Sequence, residues 1–155
     1  MALHDAGEPE YLGFWLRVGA ALLDTILMMM LTAPLLWYLY GPAYWHDPSF
    51  DGGLADLFIG WVLPAIVIML FWLARSTTPG KMAIDAVIVD ARTGARPSAR
   101  QFLVRYVGYF VSSIPLGLGL IWVGIDARKQ GWHDKMAGTV VVKRRRRTTP
   151  PPIKR

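Results

Sequence analysis

Two long apolar runs dominate the chain, from about Phe14 to Tyr38 and from about Leu57 to Ala74. Soluble cores show short amphipathic stripes, whereas unbroken apolar runs of this length suit hydrocarbon. A 20-residue helix rises about 30 Å, the thickness of a bilayer core, so each run predicts one transmembrane helix. Trp15, Trp37, Tyr38, Tyr40, Trp61 and Trp72 fall near the ends of these runs, where amphipathic rings favour the headgroup level. Pro34 and Pro64 are expected to kink their helices, which buried spans tolerate.

A third run, "YVGYFVSSIPLGLGLIWVGI" from Tyr106 to Ile125, is interrupted by Ser112, Ser113, Pro115, Gly117 and Gly119. It predicts a broken helical segment over about 102–125, read as a re-entrant or interfacial hairpin, with a third full span as the alternative. Irregular backbone at that depth must be shielded by protein, so the segment should pack on the first two spans. "KMAIDAVIVDARTGARPS" and "GTVVVKR" are β-branched runs beside turn residues. A strand near Met82 to Val89 should pair with one near Thr139 to Lys143, and that pairing requires both to lie on one face of the membrane.

Charge supports the same arrangement. The net charge is +6, but residues 41–56 contain no Lys or Arg and carry Asp47, Asp51 and Asp56. Six basic residues lie between Arg75 and Arg105 and ten between Arg128 and Arg155, with Arg17 the remaining one. Basic segments stay on the cytoplasmic side, so both termini, the middle segment and the β element are expected there. A simple third crossing would separate the two basic segments, which is why the hairpin is preferred.

Length and composition narrow the function. With 155 residues, 54% of them hydrophobic, the chain allows one domain. It has no cysteine, which excludes disulfides, thiolate metal sites and cysteine nucleophiles. An acidic start, "MALHDAGEPEY", argues against a cleaved signal peptide. The tail from residue 144 to 155 is basic and proline-rich, and is read as disordered. Lys143, Arg144, Arg145, Arg146 and Arg147 suit anionic lipid headgroups, each contributing about 1 kcal/mol near the surface. Nothing offers a surface for reading nucleic acid.

Two charges interrupt the first span. Arg17 and Asp24 are two turns apart on one helix face, roughly 10 Å along the axis. Arg17 lies near the membrane surface and can reach the headgroups. Asp24 lies about 15 Å deep, where a charge costs about 2.5 to 3.5 kcal/mol on insertion scales. It must therefore be neutral, paired or facing water. Arg17, Arg105 and the backbone of the broken third segment are its candidate partners, and interrupted helices of that kind often form ion sites in transporters.

"GFWLRVGAALLDTI", "STTPGKMAIDAVIVDARTG" and "RKQGWHDKMAGTVVV" together resemble the RDD family of bacterial membrane proteins, over about residues 11–143. The resemblance implies that Arg17 is the family's arginine and Asp24 its first aspartate. Asp134 matches the second, with Asp126 as a rival. It further implies residence in the bacterial inner membrane and an activity related to transport, with sodium/proton exchange reported for some members.

Asp134 precedes a possible helical turn, so its carboxylate is expected to cap backbone amides or to pair with Lys81, Lys135 or Arg17. "TPGK" at 78–81 reads as a turn before a strand; the spaced glycines and following helix of a phosphate loop are absent. His4, His46 and His133 each precede an aspartate, but His46 falls on the opposite side, so no metal site or other cofactor is expected. Ser112 and Ser113 have no base beside them in sequence, which argues against a hydrolase. The reading is a non-enzymatic α-helical integral membrane protein of 1–143 with a basic tail. Its expected role is an oligomeric transport or ion-coupling unit in which Asp24 loads a proton or cation while Arg17 and Asp134 gate or neutralise it. The alternative is an accessory protein that binds a partner membrane protein or anionic lipid.

Overall fold

A computed structural model describes residues 9–144. The chain is mostly helical. Helix α1, Phe14–Tyr40, is followed by a short loop helix α2, Ala43–His46. A second long helix runs continuously from Gly53 to Arg75; it comprises α3, Gly53–Leu57, a wider π turn at Phe58–Val62, and α4, Leu63–Arg75. The π turn has a cause in Pro64: its ring collides with the carbonyl four residues back and it lacks an N–H, and a widened turn relieves both. Both long helices are long and apolar enough to cross a membrane.

The end of α4 turns sharply at Ser76, in left-handed conformation. Thr78 then caps a one-turn helix, α5, Pro79–Ala83, by accepting the Lys81 N–H. Residues 78–81 are therefore the start of a helix and not a simple turn. Pro79 at the first helical position fits this, because its missing N–H has no partner to lose. For the same reason Met82 and Ala83 are helical, and β1 is confined to Ala86–Asp90. It pairs antiparallel with β2, Thr139–Lys143, in the register Ile88 opposite Val141.

Helix α6, Ala99–Ser113, opens with a capping box between Ser98 and Gln101. It is followed by α7, Leu118–Ile125, bent by 101° at residues 114–117. Pro115 and the left-handed Leu116 and Gly117 make the break. A last short helix, α8, Trp132–Ala137, packs along α6 and leads into β2 through the left-handed Gly138.

The ends of the fold meet at the sheet. Tyr11 bridges to Val142, the Leu12 N–H donates to the Val141 carbonyl, and the Ile88 N–H donates to the Ser76 carbonyl. The start of α1, the end of α4 and the C-terminal strand therefore sit together. The α6–α7 pair begins beside the sheet, where Gln101 donates to Asp90, and returns to it, where the Lys129 carbonyl accepts from Arg17. A small core of Leu12, Trp72, Ala86, Ile88, Phe102 and Val141 fills this end. Trp72, read from sequence as an interfacial ring, is instead 1% exposed and packs on Phe102 and Tyr109. Trp15, Trp37 and Trp61 remain exposed.

Away from the sheet, the apolar surface is open. In α1 only Ala20 and Leu36 are buried, and α4 contributes only Trp72.

Candidate functional site

Three charged side chains gather where α1, α6 and α8 converge. Arg17, one turn into α1, donates from Nη1 to Asp134 Oδ2 at 2.6 Å. It also donates from Nη2 to the Lys129 carbonyl at 2.6 Å and from Nε to the Leu12 carbonyl at 3.2 Å. Arg105, on the buried face of α6, donates from Nη1 to the other Asp134 oxygen and to Thr139 Oγ1, the latter at 2.7 Å. Its guanidinium lies over the rings of Trp72 and Tyr109, 5.6 and 5.8 Å from their centres. Asp134 is held in place by its own helix, because Oδ2 accepts the Gly131 N–H at the start of α8. One carboxylate thus ties together α1, α6 and α8.

Burial alone would raise the Asp134 carboxyl, but the guanidiniums of Arg105 and Arg17 outweigh it and hold the group well below the usual carboxylate range. It is a fixed anion at any physiological pH. His133 beside it behaves oppositely: burial pushes its imidazole down to about 3, against the pull of Asp134. The ring is neutral, stacked on Tyr109 at 4.0 Å between centres, and Nδ1 lies 3.5 Å from Ser112 Oγ. Ser112, His133 and Asp134 form a sequence of contacts like that of a hydrolase, which the chain order did not suggest. Ser112 is fully buried, however, and its oxygen accepts the His133 N–H at 3.1 Å, so it is not presented to a substrate.

Asp24 stands apart from this cluster. Its carboxylate accepts the Thr78 hydroxyl at 2.5 Å and the Gly80 N–H at 2.7 Å. The candidate partners Arg17 and Arg105 are instead both committed to Asp134, because α5 lies against the Asp24 face of α1. That contact is close. A Cβ on Gly80 would fall 2.0 Å from the Ala20 carbonyl and 3.0 Å from the Asp24 carboxyl carbon, so only glycine lets the two backbones approach.

Lys81 follows on α5 and is 7% exposed. Its ammonium has one contact, 3.4 Å to Thr78 Oγ1, and among the described residues it makes no ion pair. Two cavities flank it. The larger, of about 320 Å³, is lined by Asp24, Thr78, Lys81, Trp72, Tyr106 and Phe110 among others. The smaller, of about 150 Å³, is lined by Arg17, Lys81, Tyr109 and His133 among others.

Asp126, the rival to Asp134, pairs with Lys135 at 2.5 Å and accepts the Arg128 and Gln130 N–H groups. It does not reach Arg17. Lys135, considered as an Asp134 partner, goes to Asp126. Lys143 is exposed and lies 3.5 Å from Glu10, and Arg144 follows it in an exposed position. Arg145, Arg146, Arg147 and the rest of the tail, like His4, lie outside the described residues. Thr78, Gly80, Lys81, His133 and Thr139 join the site without having been singled out together. The signal for the first three was "TTPGK", a helix start between an apolar run and a strand.

Residues 11–138 match the RDD family. An uncharacterised protein of Bacillus subtilis (strain 168), YckC, is 32% identical over 133 residues, covering 83% of this chain and 82% of that protein. An uncharacterised protein of Rickettsia prowazekii (strain Madrid E) is 38% identical over 71 residues, 46% of this chain. The match spans 39% of the Rickettsia protein's length. No solved structure matches.

Proposed function

The chain belongs to the RDD family, and from that premise we propose that it is a multi-pass protein of the bacterial inner membrane acting as a small transport or ion-coupling unit. Both termini and the sheet lie on the cytoplasmic side, and α6–α7 forms a re-entrant or interfacial hairpin that leaves and rejoins that side. Asp24 is the exchanging group, taking up a proton or cation. The observation that carries this is its position: a carboxylate midway along an apolar helix, on the wall of a cavity, bound by neutral donors only. Asp134 is not available for this, because two guanidiniums fix its anion.

Arg17, Asp134 and Arg105 then serve as a permanent frame that fixes α1, α6 and α8 around the cavity. Open apolar surface along α1 and α4 is covered by lipid and by further copies of the chain, and several copies enclose the pathway. Lys143 and the arginines after it face anionic headgroups, where each is worth about 1 kcal/mol. No cofactor enters this scheme.

The test is cation-driven pH change in proteoliposomes, wild type against Asp24→Asn. Loss of the signal in Asp24→Asn, with the variant still inserted and folded, is the expected result. Equal signals from both proteins remove Asp24 from coupling. A second reading, an accessory protein without transport, has one observation in its favour. Most of α1 is exposed and only Ala20 and Leu36 are buried, which suits a partner membrane protein as well as it suits lipid. Absence of any flux from the wild type, with a partner recovered by cross-linking along α1, would establish it.

A further inference from the structure

The buried site is not charge-balanced. Arg17, Arg105 and Lys81 bring three cations, and Asp24 and Asp134 bring two carboxylates. Both Asp134 oxygens are taken by the arginines. Both Asp24 oxygens are taken by Thr78 and Gly80. His133 is neutral and adds nothing. Lys81 is in no direct ion pair among the described residues: it is 7% exposed, and its single 3.4 Å contact is to Thr78 Oγ1, the hydroxyl that also donates to Asp24. A buried ammonium in no direct ion pair is costly, so natural sites pair or solvate it.

The cavity beside Lys81 has the form of a ligand site. About 320 Å³ falls in the usual size class, and its walls are mainly apolar and aromatic, from Ile68, Trp72, Tyr106 and Phe110, with Thr78 and Lys81 of α5 and Asp24 and Thr25 of α1 among the polar groups on them. The site thus offers a weakly contacted ammonium beside an apolar and aromatic wall.

The structure assigns to this cavity an amphiphilic monoanion, a carboxylate or phosphate head on Lys81 with its apolar body against Trp72, Tyr106 and Phe110. Its single charge would bring the buried cluster to neutrality. This inference shares the cavity with the reading above but not its claim about protons, and binding is measured without flux, so either can fail alone.

The experiment uses the full chain in phosphatidylcholine nanodiscs, with protein-free discs as the blank. Equilibrium binding of dodecanoate is compared with that of dodecanol, its neutral counterpart, in wild type, Lys81→Gln and Lys81→Arg. Saturable dodecanoate binding is expected, weakened at least about tenfold in Lys81→Gln and retained in Lys81→Arg, since a charge-assisted hydrogen bond is lost only in the first. Repetition in phosphatidylglycerol discs separates the sources: competition identifies a membrane lipid headgroup as the natural occupant, and undiminished binding identifies a free amphiphile. Equal dodecanoate binding by wild type and Lys81→Gln overturns the proposal. So does a wild type that holds dodecanol as tightly as dodecanoate, a comparison that needs no folded variant.

Discussion

Arg17 and Asp134 are 117 residues apart in sequence and 2.6 Å apart in space. Their pairing, shared with Arg105, sets the stability of the whole site. Removing one partner from a buried pair leaves an uncompensated charge, which typically costs about 3 to 5 kcal/mol. Asp134→Ala strands two guanidiniums, one of them with no exposed surface, and should lower the thermal midpoint in detergent more than any other single change at the site. Arg105→Met combined with Asp134→Leu should cost less than the sum of the two alone, because only the partly exposed Arg17 is then left without its carboxylate, and not both guanidiniums. Additive losses would show that the pair is not coupled.

Gly80→Ala should be destabilising in spite of the small change. The new methyl meets the Ala20 carbonyl backbone at 2.0 Å, so α5 must lift away from α1. Overpacking of this kind costs typically about 1 to 3 kcal/mol, and the shift also separates Asp24 from the Gly80 N–H. Denaturation midpoints of the two proteins check this; an unchanged midpoint would mean α5 does not rest on α1 as described.

Acid should weaken the fold through His133. Its imidazole is held down to about 3, against an ordinary value of 6.5. Between these values the unfolded chain binds a proton that the folded one refuses, so stability is full above about pH 6.5 and falls as the pH drops towards 3. One proton gives at most about 1.4 kcal/mol per pH unit. The Asp134 carboxyl, also lowered, adds loss in the same direction at the acid end. His133→Gln should flatten the dependence between pH 6.5 and 4, measured as thermal midpoint against pH. A parallel curve would assign the acid loss elsewhere.

Topology is open to direct labelling, because the chain has no cysteine of its own. An impermeant thiol reagent should modify Arg92→Cys and Arg128→Cys from one side and Ser49→Cys from the other. Leu116, at the bend and 95% exposed, should as cysteine resist the reagent from both sides, as a tip sunk in hydrocarbon would. Labelling of positions 92 and 128 from opposite faces would refute the hairpin.

The long elements were legible in the sequence because hydrophobic pattern is a local property. The runs from Phe14 and Leu57 became helices with ends extended by two and four residues, to Tyr40 and back to Gly53. Pro115 and Gly117 marked the break between α6 and α7, and the strands expected near 82–89 and 139–143 did pair, the first over Ala86–Asp90. What local pattern could not give was which charge meets which. Arg105 was weighed against Asp24 because both seemed bound for the membrane interior, yet α8 packs along α6 and brings Asp134 there first. Asp24 went to Thr78 and Gly80, whose short helix looked like a turn. Trp72 looked interfacial by its place at the end of a run, but its neighbours Phe102 and Tyr109 come from a segment some 30 positions on, and only the packing reveals them.

The bridge between Tyr11 and Val142 has a consequence for biosynthesis. At ribosomal speeds of about 5 to 20 residues per second, on the order of ten seconds separate the making of these two partners. For that interval the arginine of α1 is unmatched and the strand contact at its start is unmade. A nascent chain arrested before residue 134 should therefore be recognised by membrane proteases, while one arrested after residue 143 should escape them.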